Sequence, residues 1–213
     1  MNKRVSSLLL LLALTAAVIY LFRAELLGGY HMLQVDDMFV AADEDNFDPG
    51  PATGSRFPGL RAEFGGREIT LLNEFAGPNG SVLIVERDPD LSPFARRNLY
   101  ALPDIVPELR SAGIGMVALL PALRSPSDRR ISGTVPYPVL HDHSDALSAR
   151  TLGLLDSDKN ATDFDYLAPY PGAILVDAQG NVAGRVFLRD SSKRLEPWAL
   201  RRLAIETLNP ASP

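Results

Sequence analysis

Ser92 carries a hydroxyl where a buried strand gives way to a helix, so a nucleophile and a helix cap are the two roles to weigh. It follows the apolar run 81–85 and precedes Pro93, and serine followed by proline is a typical helix start. The sequence places neither a histidine nor a carboxylate to activate the hydroxyl. We therefore predict that Ser92 caps the helix, a role that is compatible with binding at the same place.

Two basic residues, Arg96 and Arg97, lie in the first turns of the same predicted helix. Positive charge near a helix start favours an anion or an acidic group of a partner. The alternative, which we favour, is a basic face that water solvates.

The segment His141-Asp142-His143-Ser144-Asp145 contains two histidines two positions apart. On an extended segment both point to the same side, but a metal site would need further ligands from elsewhere in the chain. The same residues suit a polar turn that caps the next helix. We therefore predict no metal centre.

Composition excludes several classes of function. The chain has 213 residues and a net charge of −5, without the basic surplus that binding to nucleic acid requires. It has no cysteine, which removes disulfides, thiolate nucleophiles and zinc–sulfur sites. No cofactor is expected, and the length suits one folded domain.

The first residues predict a membrane anchor. Positions 5–22 contain no charged residue, and Lys3 and Arg4 precede them. About 18 apolar residues span most of a bilayer, and basic residues ahead of the run favour an N-terminus in the cytoplasm. We predict a single-pass anchor at 1–23 in the inner (cytoplasmic) membrane, a linker at 24–53 and a domain at 54–213 in the periplasm or outside. A cleaved signal peptide is the rival interpretation.

Apolar runs alternate with helical patterns through the body of the chain, which predicts an α/β sandwich with a mixed central sheet flanked by helices. The proposed strands are 67–72, 81–85, 114–120, 135–140, 173–177 and 182–188, the last two forming a hairpin. The proposed helices are 93–111, kinked or divided by Pro103 and Pro107, then 145–155 and 195–208.

Three stretches together resemble the redoxin branch of the thioredoxin-like superfamily, which includes membrane-tethered thiol–disulfide oxidoreductases and peroxiredoxin-like proteins. They are the opening 54–71, the 92–95 turn and the segment Tyr170-Pro171-Gly172 through 182, and the resemblance covers about 54–207. It implies that Ser92 and Ala95 stand where these enzymes carry Cys-x-x-Cys. In a peroxiredoxin register, Ser92 would instead replace the threonine and Ala95 the reactive cysteine of Thr-x-x-Cys.

Pro171 favours the first of these registers, because thioredoxins place a cis-proline opposite the sulfur pair. The resemblance then implies a surface able to bind an extended peptide by strand addition beside Tyr170. The candidate binding residues are Ser92, Pro93, Phe94, Arg96, Tyr170 and Pro171, and no catalytic residue is expected.

These observations predict a membrane-anchored thioredoxin-like domain that has lost thiol chemistry and binds another envelope protein or an extended peptide. One alternative is an oxidoreductase that works without cysteine, which would need acid–base groups near Ser92, Arg96 or His141. Another is a structural subunit of a membrane complex.

Overall fold

A computed structural model of the chain describes residues 35, 37–43, 45, 47–70, 72–122, 131, 133–156 and 167–209. A compact unit begins at Met38. The predicted anchor at 1–23 lies outside the described residues. The described helices include none that is both apolar enough and long enough to cross a membrane.

A seven-stranded mixed sheet forms the centre of this unit, in the order β3-β2-β6-β5-β4-β7-β8. Strands β5 and β6 are parallel, whereas β2 is antiparallel to β3 and β6, and β7 is antiparallel to β4 and β8. The strands are β2 (Ala62–Phe64), β3 (Arg67–Ile69), β4 (Gly80–Val85), β5 (Ile114–Leu120), β6 (Val139–Asp142), β7 (Gly172–Asp177) and β8 (Val182–Phe187).

Backbone hydrogen bonds at both ends join β4 to β5. Asn79 N–H donates to Gly113 O at 2.9 Å, and Glu86 N–H donates to Leu119 O at 3.1 Å. The residue numbers rise together along both strands, so β4 and β5 run in the same direction. The mixed sheet expected from the sequence is confirmed.

The sheet is covered on both faces, which explains why β4 is apolar at nearly every position. Successive side chains of a strand point to opposite faces. Val82 and Ile84 accordingly pack in one hydrophobic cluster with Leu99, while Leu83 and Val85 pack in the other with Leu152.

Four helices flank the sheet in the described residues: α1 (Pro93–Ala101), α2 (Val106–Ser111), α3 (Leu147–Thr151) and α4 (Pro197–Leu208). The expected division of the 93–111 helix is confirmed, because a 3₁₀ turn at Leu102–Ile105 separates α1 from α2. Pro103 has no N–H to donate to the carbonyl of Leu99 four residues earlier. The buried hydroxyl of Tyr137 donates to that carbonyl instead, at 2.7 Å.

Several elements are shorter than the sequence pattern predicted. The strand expected at 67–72 ends at Ile69, and the extended segment at 135–140 forms a strand only from Val139. The helix expected at 145–155 covers Leu147–Thr151, and Gly153 follows it with φ +68°. That left-handed backbone suits glycine and ends the helix. The hairpin of β7 and β8 is confirmed.

Part of the segment expected to be a linker lies in the fold. β1 (Phe39–Val40) pairs in parallel with β9 (Arg194–Leu195). Phe47 contacts the ring of Tyr170 edge-on, with 4.7 Å between ring centroids. The compact unit therefore includes residues ahead of Gly54, where the sequence analysis placed its start.

Candidate functional site

Ser92 is the N-cap of α1, as the sequence predicted. Its backbone is extended, with φ −119° and ψ 108°, and its Oγ accepts the N–H of Ala95 at 3.2 Å. Pro93 occupies the first helical turn, where its missing N–H leaves no intrahelical bond unmade. The hydroxyl thus satisfies one of the donors that every helix start leaves free.

The side chains around Ser92 differ in accessibility. Ala95 is fully buried, and Ser92, Pro93 and Phe94 are half-buried. Arg96 is exposed, but its Nε donates to Pro89 O at 3.0 Å and its guanidinium lies 3.7 Å from a carboxylate oxygen of Asp90. The loop before the helix therefore holds Arg96 in part, and its guanidinium already lies near one carboxylate.

A buried ion pair that the sequence analysis missed lies at the end of β4. Glu86 is 0% exposed and Arg194 is 2% exposed. Arg194 Nε donates to Glu86 Oε1 at 2.6 Å, and Nη2 donates to Oε2 at 2.7 Å. This is a bidentate ion pair, in which each carboxylate oxygen accepts a hydrogen bond from the guanidinium. Asn98 of α1 donates to the same Oε1 at 2.7 Å. The pair therefore ties together the end of β4, β9 and α1.

A sequence signal for this cluster existed. Glu86 follows the apolar strand 80–85 directly, and a carboxylate at that point must either reach solvent or find a partner. Its partner lies 108 positions along the chain, so spacing gives no indication of Arg194.

The expectation of a cis-proline at position 171 is wrong. The described residues contain no cis peptide bond, so the Tyr170–Pro171 bond is trans. Pro171 is buried beside Gly172, which pairs with Val85 of β4. The feature that favoured the Cys-x-x-Cys register over the peroxiredoxin register is therefore missing.

A small cavity lies next to Pro171. Asn98, Pro171 and Arg194 line this cavity of about 20 Å³, which is the size of a water site. The N–H of Tyr170 donates to Leu154 O at 2.7 Å, so it is not free to pair with an added strand. The structure thus brings Pro171 close to Asn98 of α1, with Pro171 buried and Tyr170 half-buried.

The histidines do not form a metal centre with other described residues, among which no group of three or more metal-ligating side chains occurs. His141 is buried on β6, with Nδ1 3.4 Å from Pro121 O, while His143 is exposed beyond the strand. Asp142 accepts the N–H groups of Ser148 and Ala149 at 2.8 and 2.9 Å. The predicted capping of the next helix is confirmed for Asp142.

Taken together, these contacts describe what the turn at α1 can do. The Ser92 hydroxyl accepts a helix N–H, and no described histidine or carboxylate hydrogen-bonds to it. The Glu86 carboxylate accepts hydrogen bonds from Arg194 and Asn98, and not from Ser92. The site has a helix start able to stabilise negative charge, without a group that activates the hydroxyl as a nucleophile.

Comparison with known protein structures identifies the fold. No family model and no curated protein matches the chain. A peroxiredoxin-like protein from Aquifex aeolicus matches with a TM-score of 0.58 and 14% identity, over 75% of this chain and 90% of that one. A thiol peroxidase from Chromobacterium violaceum gives 0.56 and 18%, over 79% and 96%. A thiol:disulfide interchange protein from Bacteroides sp. gives 0.51 and 18%, over 76% and 93%.

The domain therefore has the thioredoxin-like redoxin fold, as the sequence resemblance implied. Identities of 14–18% show the fold alone, and the three structures are a peroxiredoxin-like protein, a thiol peroxidase and a thiol:disulfide interchange protein. A fold does not determine function, which depends on the residues that this chain carries at the site.

Proposed function

We propose that this chain is a membrane-anchored thioredoxin-like protein that performs no thiol chemistry and acts by binding another envelope protein. The observation that carries the proposal is the pair Ser92 and Ala95 at the start of α1 in a redoxin fold, in a chain without cysteine.

The chemistry of these two residues supports the proposal. Disulfide exchange needs a sulfur that attacks as a thiolate and a second sulfur that resolves the mixed disulfide. A serine hydroxyl forms no disulfide and loses its proton only far above neutral pH, and an alanine methyl group does neither. The Ser92 hydroxyl also accepts the Ala95 N–H, which is a structural task.

The surface in front of α1 supports a binding role. Leu91 is 44% exposed, Phe94 is half-buried, and the exposed residues Arg96 and Arg97 follow on the first turns of the helix. An apolar group beside basic side chains suits a partner that presents an apolar residue next to a carboxylate. Because Pro171 is buried and the Tyr170 N–H already donates to Leu154 O, we centre the proposed surface on residues 91–97.

The envelope location rests on the N-terminal residues. The uncharged run 5–22 after Lys3 and Arg4 has the length and the flanking charges of a membrane anchor with a cytoplasmic N-terminus. The folded domain then lies in the periplasm or outside the cell.

Site-specific photocrosslinking in intact cells tests the binding proposal. A photoreactive residue at position 94 is compared with one at position 206, an exposed site on α4. We expect a discrete crosslinked product from position 94 only, and we expect the substitution Arg97→Glu to weaken it. Identical products from both positions, or a product that the charge reversal leaves unchanged, would contradict a partner surface at residues 91–97.

A further inference from the structure

A second recess lies where β4 and β5 begin. Ser92 lies beyond the other end of β4. The volume of the recess is about 250 Å³. Apolar side chains form much of its lining, among them Phe75, Val106, Ile114 and Met116. This is slightly below the roughly 300–1,000 Å³ of pockets that hold drug-sized molecules, so it suits a smaller ligand.

Close backbone packing forms one side of the recess. A Cβ added to Gly115 would lie 2.0 Å from Phe75 O, and one added to Gly77 would lie 2.1 Å from Gly113 O. Both positions therefore require glycine, and the segment 75–77 lies directly against the start of β5. No side chain at positions 77 or 115 fills the space.

Three prolines, Pro78, Pro136 and Pro138, also line the recess. Proline fixes its backbone φ, so these parts of the lining lose little conformational entropy when a ligand binds. The recess is thus largely formed before any ligand arrives.

The charge of the recess comes from Arg110 in the last turn of α2. It is the one charged side chain among the described lining residues, and its guanidinium has no hydrogen-bond or ion-pair partner among the described residues. Glu108, two residues earlier, is paired with Arg201 at 2.5 Å. The nearest carboxylate on the same helix is therefore already engaged, and Arg110 remains available.

We propose that this recess binds a small apolar monocarboxylate, with its apolar body against Ile114 and Met116 and its carboxylate on Arg110. An apolar lining favours the hydrocarbon part, and a guanidinium recognises a carboxylate through two parallel hydrogen bonds. The proposal is independent of the proposed function of residues 91–97.

Phenylacetate and its neutral isostere phenylacetamide test the proposal on the full chain in lipid nanodiscs. Labelling the methionine methyl groups with ¹³C gives a simple spectrum, because the sequence contains four methionines. Met116 lines the recess, and the buried Met38 serves as an internal control. The substitution Met116→Leu assigns the reporting signal.

We expect phenylacetate to shift the Met116 signal and leave the Met38 signal in place. Its affinity should exceed that of phenylacetamide by at least about tenfold, the lower bound for one hydrogen bond to a charged group. Arg110→Gln should remove this preference, Arg110→Lys should keep part of it, and Arg202→Gln, at an exposed position of α4, should leave it unchanged. Equal binding of the two probes, equal binding by Arg110→Gln, or no shift of Met116 would overturn the proposal.

Discussion

Replacing Ser92 with cysteine measures how strongly the start of α1 stabilises negative charge. The chain has no other cysteine, so the variant Ser92→Cys carries a single thiol. In the thiolate form its sulfur takes the place of the Ser92 oxygen that accepts the Ala95 N–H at 3.2 Å. We expect this position to lower the pKa of the introduced thiol well below that of an ordinary cysteine.

The magnitude follows from two interactions. A hydrogen bond to a charged group is worth about 1.5–3 kcal/mol, and the positive end of a helix adds about 0.3–1 kcal/mol. Together they stabilise the thiolate by about 2–4 kcal/mol, which raises the acid dissociation constant at least about thirtyfold. Arg96 and Arg97 add little, because water screens exposed charges.

The rate of iodoacetamide alkylation as a function of pH provides the assay, since the thiolate is the reacting species. Ser111→Cys is the matched control: Ser111 is exposed in the last turn of α2, away from the free N–H groups of a helix start. We expect alkylation of the Ser92→Cys variant to reach its plateau at clearly lower pH than alkylation of the control. Superimposable pH profiles would refute the reasoning that the helix start retains the electrostatics of a thiol site.

Four further substitutions test the contacts around α1 by chemical denaturation. Ser92→Ala removes the cap and should cost about 1 kcal/mol of unfolding free energy. Glu86→Gln should cost about 3–5 kcal/mol by leaving Arg194 buried without its counter-charge, and adding Arg194→Met should recover part of that loss; strictly additive effects would contradict the coupling. Tyr137→Phe leaves the Leu99 carbonyl unpaired and should cost about 1–3 kcal/mol at neutral pH. Burial raises the pKa of Tyr137, so the unfolded chain loses this proton first, near pH ~10. Stability then falls as pH rises above that value, and Tyr137→Phe should remove this part of the alkaline loss.

The long elements of the fold were predictable because each has a local sequence pattern, either an apolar run or a proline that breaks a helix. The buried strands β4 and β5 are continuous apolar runs, and the breaks at Pro103 and Pro107 follow from the missing N–H of proline. The two-residue strands β1 and β9 were missed because two residues have no periodicity, and their pairing joins distant parts of the chain. Helix α3 was overestimated because the left-handed backbone at Gly153 outweighed the apolar pattern around it.

In the candidate site, too, local contacts were predicted from the sequence and contacts between distant residues were not. The Ser92 cap is local and was predicted, because the hydroxyl and the N–H that it binds are three residues apart. The pairing of Glu86 with Arg194 is non-local and was missed. The prediction for Pro171 failed because a resemblance of sequence does not specify the isomer of a peptide bond, which tertiary contacts determine.

Catalysis of the reduction of insulin disulfides and of hydrogen peroxide, with dithiothreitol as the electron donor, tests the central claim most directly when the purified full chain is compared with Ser92→Cys/Ala95→Cys. We predict no turnover by the natural sequence above a protein-free blank, and measurable insulin reduction once the two sulfurs are introduced at the start of α1. Turnover by the natural sequence would contradict the claim that this redoxin fold works without redox chemistry.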